Sequence, residues 1–279
     1  MKKLAIIGNG MLGSEVVKAA KASGWQPVVY DYPEFDITDY TQLEELVKES
    51  DCIVNCSAYT NVDKAESEPE KCFAVNSDAP GKLGEFAAAE DKYVLHISTD
   101  FVFGDLTDQP QDEDSTPEPL SVYGASKLAG ELKLLKSGCK CSIIRVEWSY
   151  GINGQNFISK IISLAEKHSS LKVVDDQTGA PTSTRDMANT IVAVLEKKLE
   201  GTFHFASSGY TTRFEVAKEI IDKLQLDCKL SPCSSDEFPT PAKRPKNSKF
   251  DCSKIENALG IKRPEWRDSL IKYLEEISK

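Results

Sequence analysis

Two spacings of apolar residues run through this chain. Short continuous apolar runs at 3–7, 28–30, 52–56, 93–97 and 142–146 predict buried strands. Amphipathic stretches at 14–22, after Asp36, at 69–90 and at 121–135 predict helices between them. Thr38 or Asp39 is the N-cap expected for the second helix, and Pro80 with Gly81 predicts a bend or break in the third. Strands alternating with helices over this length predict an α/β fold, a doubly wound parallel sheet of the Rossmann type. Beyond Trp148 the alternation loosens. Helices are expected at 156–167, 184–199, 212–224, 253–259 and 266–277, short strands at 171–174 and 201–206, and a loop at 175–182.

The first strand runs into Gly8-Asn9-Gly10-Met11-Leu12-Gly13. In a strand–turn–helix unit the first glycine permits the tight turn, the second lets the backbone approach a pyrophosphate, and the third lets helix and strand pack closely. Gly8, Gly10, Met11, Leu12 and Gly13 are therefore expected cofactor contacts. Asp31 ends the next strand, near the spacing at which an acid hydrogen-bonds the adenosine ribose. An acid there repels a 2′-phosphate, which favours NADH over NADPH. Asp36, Ile37 and Asn76 are further expected contacts. The polar segment 57–66 leaves the carboxyl end of a strand, where ligands sit in open α/β sheets.

Tyr123 and Lys127 lie four apart in a predicted helix and share one face. An ammonium beside a phenol favours the phenolate, so Lys127 is expected to lower the Tyr123 pKa and fit it for proton transfer near neutral pH. Ser98-Thr99-Asp100 comes at the end of the fourth strand, followed by Phe101.

Composition narrows the partners. The 279 residues carry 34 Lys and Arg against 44 Asp and Glu, a net charge of −10. Such a surface repels nucleic acid and anionic membranes, and an anionic substrate needs a local basic cluster. Residues 243–249 are the densest basic run, readable as phosphate-binding charge or as a solvated loop. The acidic, proline-rich stretch 105–119 reads as a surface loop. No apolar run approaches a membrane span, and a cytoplasmic protein is expected. Eight cysteines form no Cys-x-x-Cys pair and with three histidines give no zinc spacing, so all are read as reduced thiols.

With these pieces the sequence resembles the extended short-chain dehydrogenase/reductase superfamily and, within it, the dTDP-4-dehydrorhamnose reductase family. The matching segments are 54–66, 98–103, 123–131, Arg145 with Trp148 and Tyr150, 176–182 and 244–248. The resemblance implies a catalytic triad of Thr99, Tyr123 and Lys127. It implies that Ser57, Ala58, Tyr59, Asp63 and Lys64 line the cofactor cleft, and that Thr99, Asp100, Phe101, Trp148, Thr182 and Arg244 face a nucleotide-sugar. It implies two domains discontinuous in sequence: 1–147 with about 183–206 for the dinucleotide, and 148–182 with 207–279 for the substrate. The implied reaction is NAD(P)H-dependent reduction of the 4-keto group of dTDP-4-dehydro-6-deoxy-L-mannose to dTDP-L-rhamnose, with a homodimer as a further implied partner state. Alternatives are a reductase or epimerase on another nucleotide-sugar and a non-catalytic nucleotide-binding regulatory subunit. Departures from the family pattern are Ile7 where the first glycine is usual, Phe101 for a tyrosine, and Glu147 for a small residue. Some members hold magnesium through glutamates; Glu15 matches one, but Arg185 stands at another, so no metal is predicted.

Overall fold

The computed structural model describes residues 2–278. In chain order its elements are β1 (Lys3–Ile7), α1 (Met11–Ala22), β2 (Gln26–Tyr30), α2 (Tyr40–Glu49), β3 (Cys52–Asn55), α3 (Val62–Ala65), α4 (Pro69–Phe73), α5 (Ala79–Ala89), β4 (Tyr93–Thr99), α6 (Val122–Lys136), β5 (Lys140–Val146) and β6 (Ser149–Tyr150). There follow α7 (Phe157–Ala165), β7 (Ser170–Val174), β8 (Thr178–Gly179), β9 (Thr182–Ser183), α8 (Thr184–Lys197), β10 (Gly201–Phe205), β11 (Thr211–Thr212), α9 (Arg213–Leu224), β12 (Lys229–Cys233), α10 (Ser253–Leu259) and α11 (Trp266–Ile277).

A parallel sheet in the order β10-β5-β4-β3-β1-β2 forms the centre. Its central strands read as unbroken apolar runs because both faces are covered. Alternate residues of β1 go to opposite sides. Leu4 and Ile6 join a core with Val16 and Ala20 of α1 and Met187, Ile191 and Leu195 of α8. Ala5 and Ile7 join a core with Leu43 and Leu46 of α2, Leu83 of α5 and Leu134 of α6. The strand order reverses at β1, so a crevice opens beyond the carboxyl ends of β1 and β3, the position where such sheets bind ligands.

The remaining elements build around a separate apolar cluster. Ile158 and Ile161 of α7, Val173 of β7, Val216 and Ile220 of α9, and Trp266 and Leu270 of α11 pack together. β10 does not belong to this cluster; it pairs in parallel with β5 at the edge of the central sheet.

Several elements differ from the sequence reading. α1 begins at Met11 rather than 14, with Gly10 as its N-cap. The expected single helix over 69–90 is α4 and α5 joined by a π-helical stretch, Ala74–Asp78. Pro80 has no N–H to give the Asn76 carbonyl, and the helix widens just before it. β12 was not anticipated; it pairs with β7. The expected loop 175–182 contains β8 and the first residue of β9. The acidic stretch 105–119 is strapped to the basic run. Asn247 Nδ2 donates to the Thr107 and Gln109 carbonyls at 2.8 Å each, Lys246 N donates to Asp105 at 2.7 Å, and Gln111 N donates to the Lys249 carbonyl at 2.8 Å. Asp39 caps α2 as expected, its Oδ1 accepting from the amides of Thr41 and Gln42.

Candidate active site

The glycine turn ends β1 at the crevice. Gly8 has φ +88°, and a β-carbon there would stand 2.9 Å from the Ser57 amide nitrogen. Only glycine fits both the dihedral and the approach of the β3 loop. A β-carbon at Gly13 would be 1.9 Å from the Gly8 carbonyl oxygen, so α1 lies directly on the turn. Gly10 is different: a β-carbon there meets nothing within 4 Å. It opens onto the N-terminus of α1, whose cap supplies no side-chain acceptor and whose first turn, with Met11 and Leu12, carries no acid. Unsatisfied N–H groups, a positive dipole end and free space beside a glycine fit a dinucleotide pyrophosphate.

Ser57, Ala58 and Tyr59 leave β3 as a half-buried loop. Asn76, buried in the π-helical stretch, clamps it: Oδ1 accepts from Tyr59 N at 2.8 Å and Nδ2 donates to Tyr59 O at 3.1 Å. The Asn76 amide also donates to Ser126 Oγ at 3.0 Å, and Ser126 Oγ donates to the Tyr123 carbonyl at 2.7 Å. The loop is thereby tied to α6.

On α6, Ser121 caps the helix by accepting from Gly124 N at 3.2 Å. Tyr123 in the first turn is half-buried, and its hydroxyl lies beside the Thr99 side chain at the end of β4. Gly124 lets this turn sit against the Phe101 carbonyl, from which a β-carbon would be 2.1 Å. Phe101 packs edge-on against the Tyr123 ring at 5.5 Å. Lys127, one turn further, is 2% exposed and donates to the Ile97 carbonyl at 2.7 Å. Burial draws its pKa down to about 8, against the pull of Glu131.

The expectation that Lys127 lowers the Tyr123 pKa needs correction. Burial pushes the phenol above the usual tyrosine range; the Thr99 side chain lowers it, while Asp100 and Cys72 raise it. The Lys127 ammonium is engaged by β4 and exerts no resolved pull on the phenol.

Beyond Thr99 lies a buried acidic pair. Asp100 accepts from the hydroxyls of Thr99 (3.0 Å) and Ser248, and burial raises its pKa. Glu147 accepts from Ala180 N at 2.9 Å, and burial, with Asp100 nearby, pushes it well above the carboxylate range. Arg213 faces both acids; its guanidinium lies 3.6 Å over the Trp148 ring and 4.9 Å from that of Phe157, and burial draws its pKa down to about 10. Trp148 itself has φ +44°, a strained backbone for a large residue. A cavity of about 780 Å³ adjoins Arg213, with Lys160, Lys243, Arg244 and Lys246 also in its walls.

The predicted residues are not all brought together. Arg244, expected to face the sugar, makes a bidentate pair with Asp63, expected to face the cofactor, at 2.8 and 3.1 Å. Thr182 is fully enclosed; its hydroxyl donates to the Ala180 carbonyl and accepts from Ser207 N. Lys64 pairs with Glu68 on the surface at 2.8 Å. Asp31 is exposed at the end of β2, Asp36 folds back on Thr38, and Ile37 is buried beneath them. Glu15 pairs with Lys18, and one guanidinium nitrogen of Arg185 donates to both carboxylate oxygens of Glu276. Three neighbours of the site escaped the sequence reading: His96, which reads as one more position of a buried strand; Arg213, whose stacking partner is remote in sequence; and Ser248, whose partner is Asp100.

The family described as the RmlD substrate binding domain matches residues 1–279. A dTDP-4-dehydrorhamnose reductase from Sinorhizobium fredii is 35% identical over 280 residues, covering 96% of this chain and 95% of that protein. The crystal structure of a dTDP-4-dehydrorhamnose reductase from Clostridium acetobutylicum superposes with a TM-score of 0.95 at 35% identity, covering 99% of this chain and 100% of that one. A Bacillus anthracis dTDP-4-dehydrorhamnose reductase in complex with NADP also gives 0.95, at 31% identity and 99% coverage of both chains.

Proposed function

The chain belongs to the RmlD substrate binding domain family, and we propose that it is an NAD(P)H-dependent oxidoreductase reducing the 4-keto group of dTDP-4-dehydro-6-deoxy-L-mannose to dTDP-L-rhamnose. The observation that carries this reading is the Tyr123 hydroxyl set beside the Thr99 side chain, with the buried Lys127 one turn along the same helix. When bound, the nicotinamide supplies the hydride. Gly8, Gly10, Gly13 and the first turn of α1 would hold its pyrophosphate, with Ser57, Ala58 and Tyr59 forming the facing wall. The raised phenol keeps its proton at neutral pH, the form a donor requires. Thr99 supports the carbonyl oxygen as negative charge develops there, and Lys127 supplies positive charge close by. Cations around the 780 Å³ cavity, on a chain of net charge −10, support a nucleotide diphosphate as the substrate's anionic part.

The work divides between two lobes, 1–147 with about 183–206 for the dinucleotide and 148–182 with 207–279 for the sugar nucleotide. Asp31 at the end of β2 favours NADH over NADPH, although the Bacillus anthracis relative holds NADP. A cytoplasmic location matches the reduced pyridine nucleotides and free thiols this reading requires, and among the described residues no helix is long and apolar enough to cross a membrane. Assembly as a homodimer rests on the resemblance and is tested by sedimentation.

A second reading, reduction of a different keto-sugar nucleotide, is favoured by Glu147, whose carboxylate packs against Gly179 beside the Trp148 ring. Consumption of NADH and NADPH with dTDP-4-dehydro-6-deoxy-L-mannose and a panel of other keto-sugar nucleotides, with product identification, separates the two. Absence of turnover on every member of the panel would leave the regulatory-subunit alternative.

A further inference from the structure

We propose that His96 is a positioning residue for this chemistry, its Nε2 accepting from the Lys127 ammonium so that only one N–H of the lysine remains for the bound dinucleotide. The inference rests on the reading of Lys127 given above. β4 offers Lys127 two consecutive residues: the Ile97 carbonyl accepts from Nζ at 2.7 Å, and His96 Nε2 lies 3.2 Å from the same nitrogen. An ammonium has three donors and no acceptor, so a ring nitrogen facing it must accept. That fixes the imidazole as the neutral tautomer with its proton on Nδ1.

His96 and Lys127 are 0% and 2% exposed. His96 is flanked in the strand by Leu95 and Ile97, with Val94 and Leu95 fully buried. A buried imidazole is costly unless it is hydrogen-bonded, and Nδ1 finds no partner among the described residues. The contact with Lys127 is therefore the polar interaction that accounts for a histidine in this strand. His96 does not itself exchange protons near neutral pH, since burial and the adjacent ammonium hold its pKa well below the usual range.

The groups around Lys127 come from four elements. Glu131 and Tyr123 lie on its own helix α6, Cys56 follows β3, Cys72 is on α4, and His96 and Ile97 are on β4. Burial works against the ammonium, while Glu131, Cys56 and Cys72 work for it; the two β4 acceptors take two of its three N–H groups. Loss of one acceptor from a buried ammonium weakens its hold on the proton.

Two variants and one measurement on the wild type test this. His96→Leu removes the acceptor, and His96→Gln returns an amide oxygen near the Nε2 position. His96→Leu should lower kcat/KM about tenfold or more at alkaline pH, the scale of a hydrogen bond to a charged group. It should also shift the alkaline limb of the kcat/KM profile down by about one pH unit. His96→Gln should restore most of both. A loss equal at every pH, or a glutamine no better than leucine, overturns the proposal. The chain has three histidines, His96, His168 and His204, so 15N-histidine spectra of the wild type report the His96 tautomer even if a variant folds poorly. A neutral ring protonated on Nδ1 is expected below about pH 8, while Lys127 is charged; a proton on Nε2 there would set two donors against each other and end the proposal. Failure of the reductase reading looks different: the wild type would consume no reduced cofactor, while the His96 nitrogen signals would be unaffected.

Discussion

Replacing Gly10 and Gly13 singly with alanine separates what the glycine turn does for the fold from what it does for the cofactor. At Gly13 the added carbon would stand 1.9 Å from the Gly8 carbonyl oxygen, where ordinary contact begins at 3.4 Å. That oxygen is main chain and cannot swing aside, so α1 must lift from the turn by more than about 1 Å. Overpacking of this kind costs about 1–3 kcal/mol, and here it also spoils the surface that receives the pyrophosphate. At Gly10 the new methyl touches no protein atom within 4 Å, and φ −69° suits alanine. The fold loses only a preferred N-cap, roughly 0.5–1 kcal/mol, or a few degrees of Tm. The same methyl occupies the mouth of α1, so affinity for NADH and NADPH should fall about ten- to a hundredfold, or roughly 1.4–2.7 kcal/mol. Thermal melts with and without cofactor, combined with fluorescence titration, measure both quantities. Gly13→Ala should melt well below wild type and bind weakly. Gly10→Ala should melt near wild type and gain little from added cofactor. Wild-type cofactor affinity in Gly10→Ala would show that the pyrophosphate does not lie against α1 and would refute the assignment.

Tyr123→Phe should lower kcat by roughly 10²-fold or more with cofactor affinity largely kept; a turnover assay beside a binding titration checks it, and near-wild-type turnover removes Tyr123 from the chemistry. Glu131→Ala should cost about 3–5 kcal/mol in denaturant unfolding, because Arg145, 5% exposed and bonded to both Glu131 oxygens at 2.7–3.2 Å, would be left charged and buried. Glu147→Gln should stabilise the protein at pH 8 and do little at pH 4. The folded carboxyl holds its proton well above the range where the unfolded one loses it, so its contribution is fully present below the unfolded pKa and is lost as pH rises toward the folded one. The glutamine keeps an oxygen for Ala180 N without that loss, and melting curves across pH should converge in acid; curves parallel at all pH values would mean Glu147 is ionised in the fold.

Much of this molecule is legible in its sequence where one local force dominates. The strands read as apolar runs because helices cover both faces of the sheet, and Asp39 and Ser121 announce their helices by capping them. The glycine turn is legible because steric limits admit nothing else at Gly8 and Gly13. What resists reading depends on distant partners. β12, with the sequence KLSPC, is polar, contains Pro232, and is a strand only because β7 lies beside it. Arg213 looks like an ordinary helix-start cation until Trp148 is placed under it. The spacing of Tyr123 and Lys127 is plain, yet the direction of the phenol's shift is not, since it follows from enclosure and from β4 claiming the lysine.

The side-chain amide of Asn76 behaves toward Tyr59 as a neighbouring peptide group would, offering one donor and one acceptor to the same residue. Through Ser126 that bond continues into the main chain beneath the phenol. The floor of the dinucleotide crevice and the base of α6 are therefore joined through one chain of hydrogen bonds, and neither shifts without breaking it. The opposite wall, the segment 235–246, is tied across the opening by surface contacts: Arg244 and the Ala242 amide to Asp63, and the Lys246 amide to Asp105.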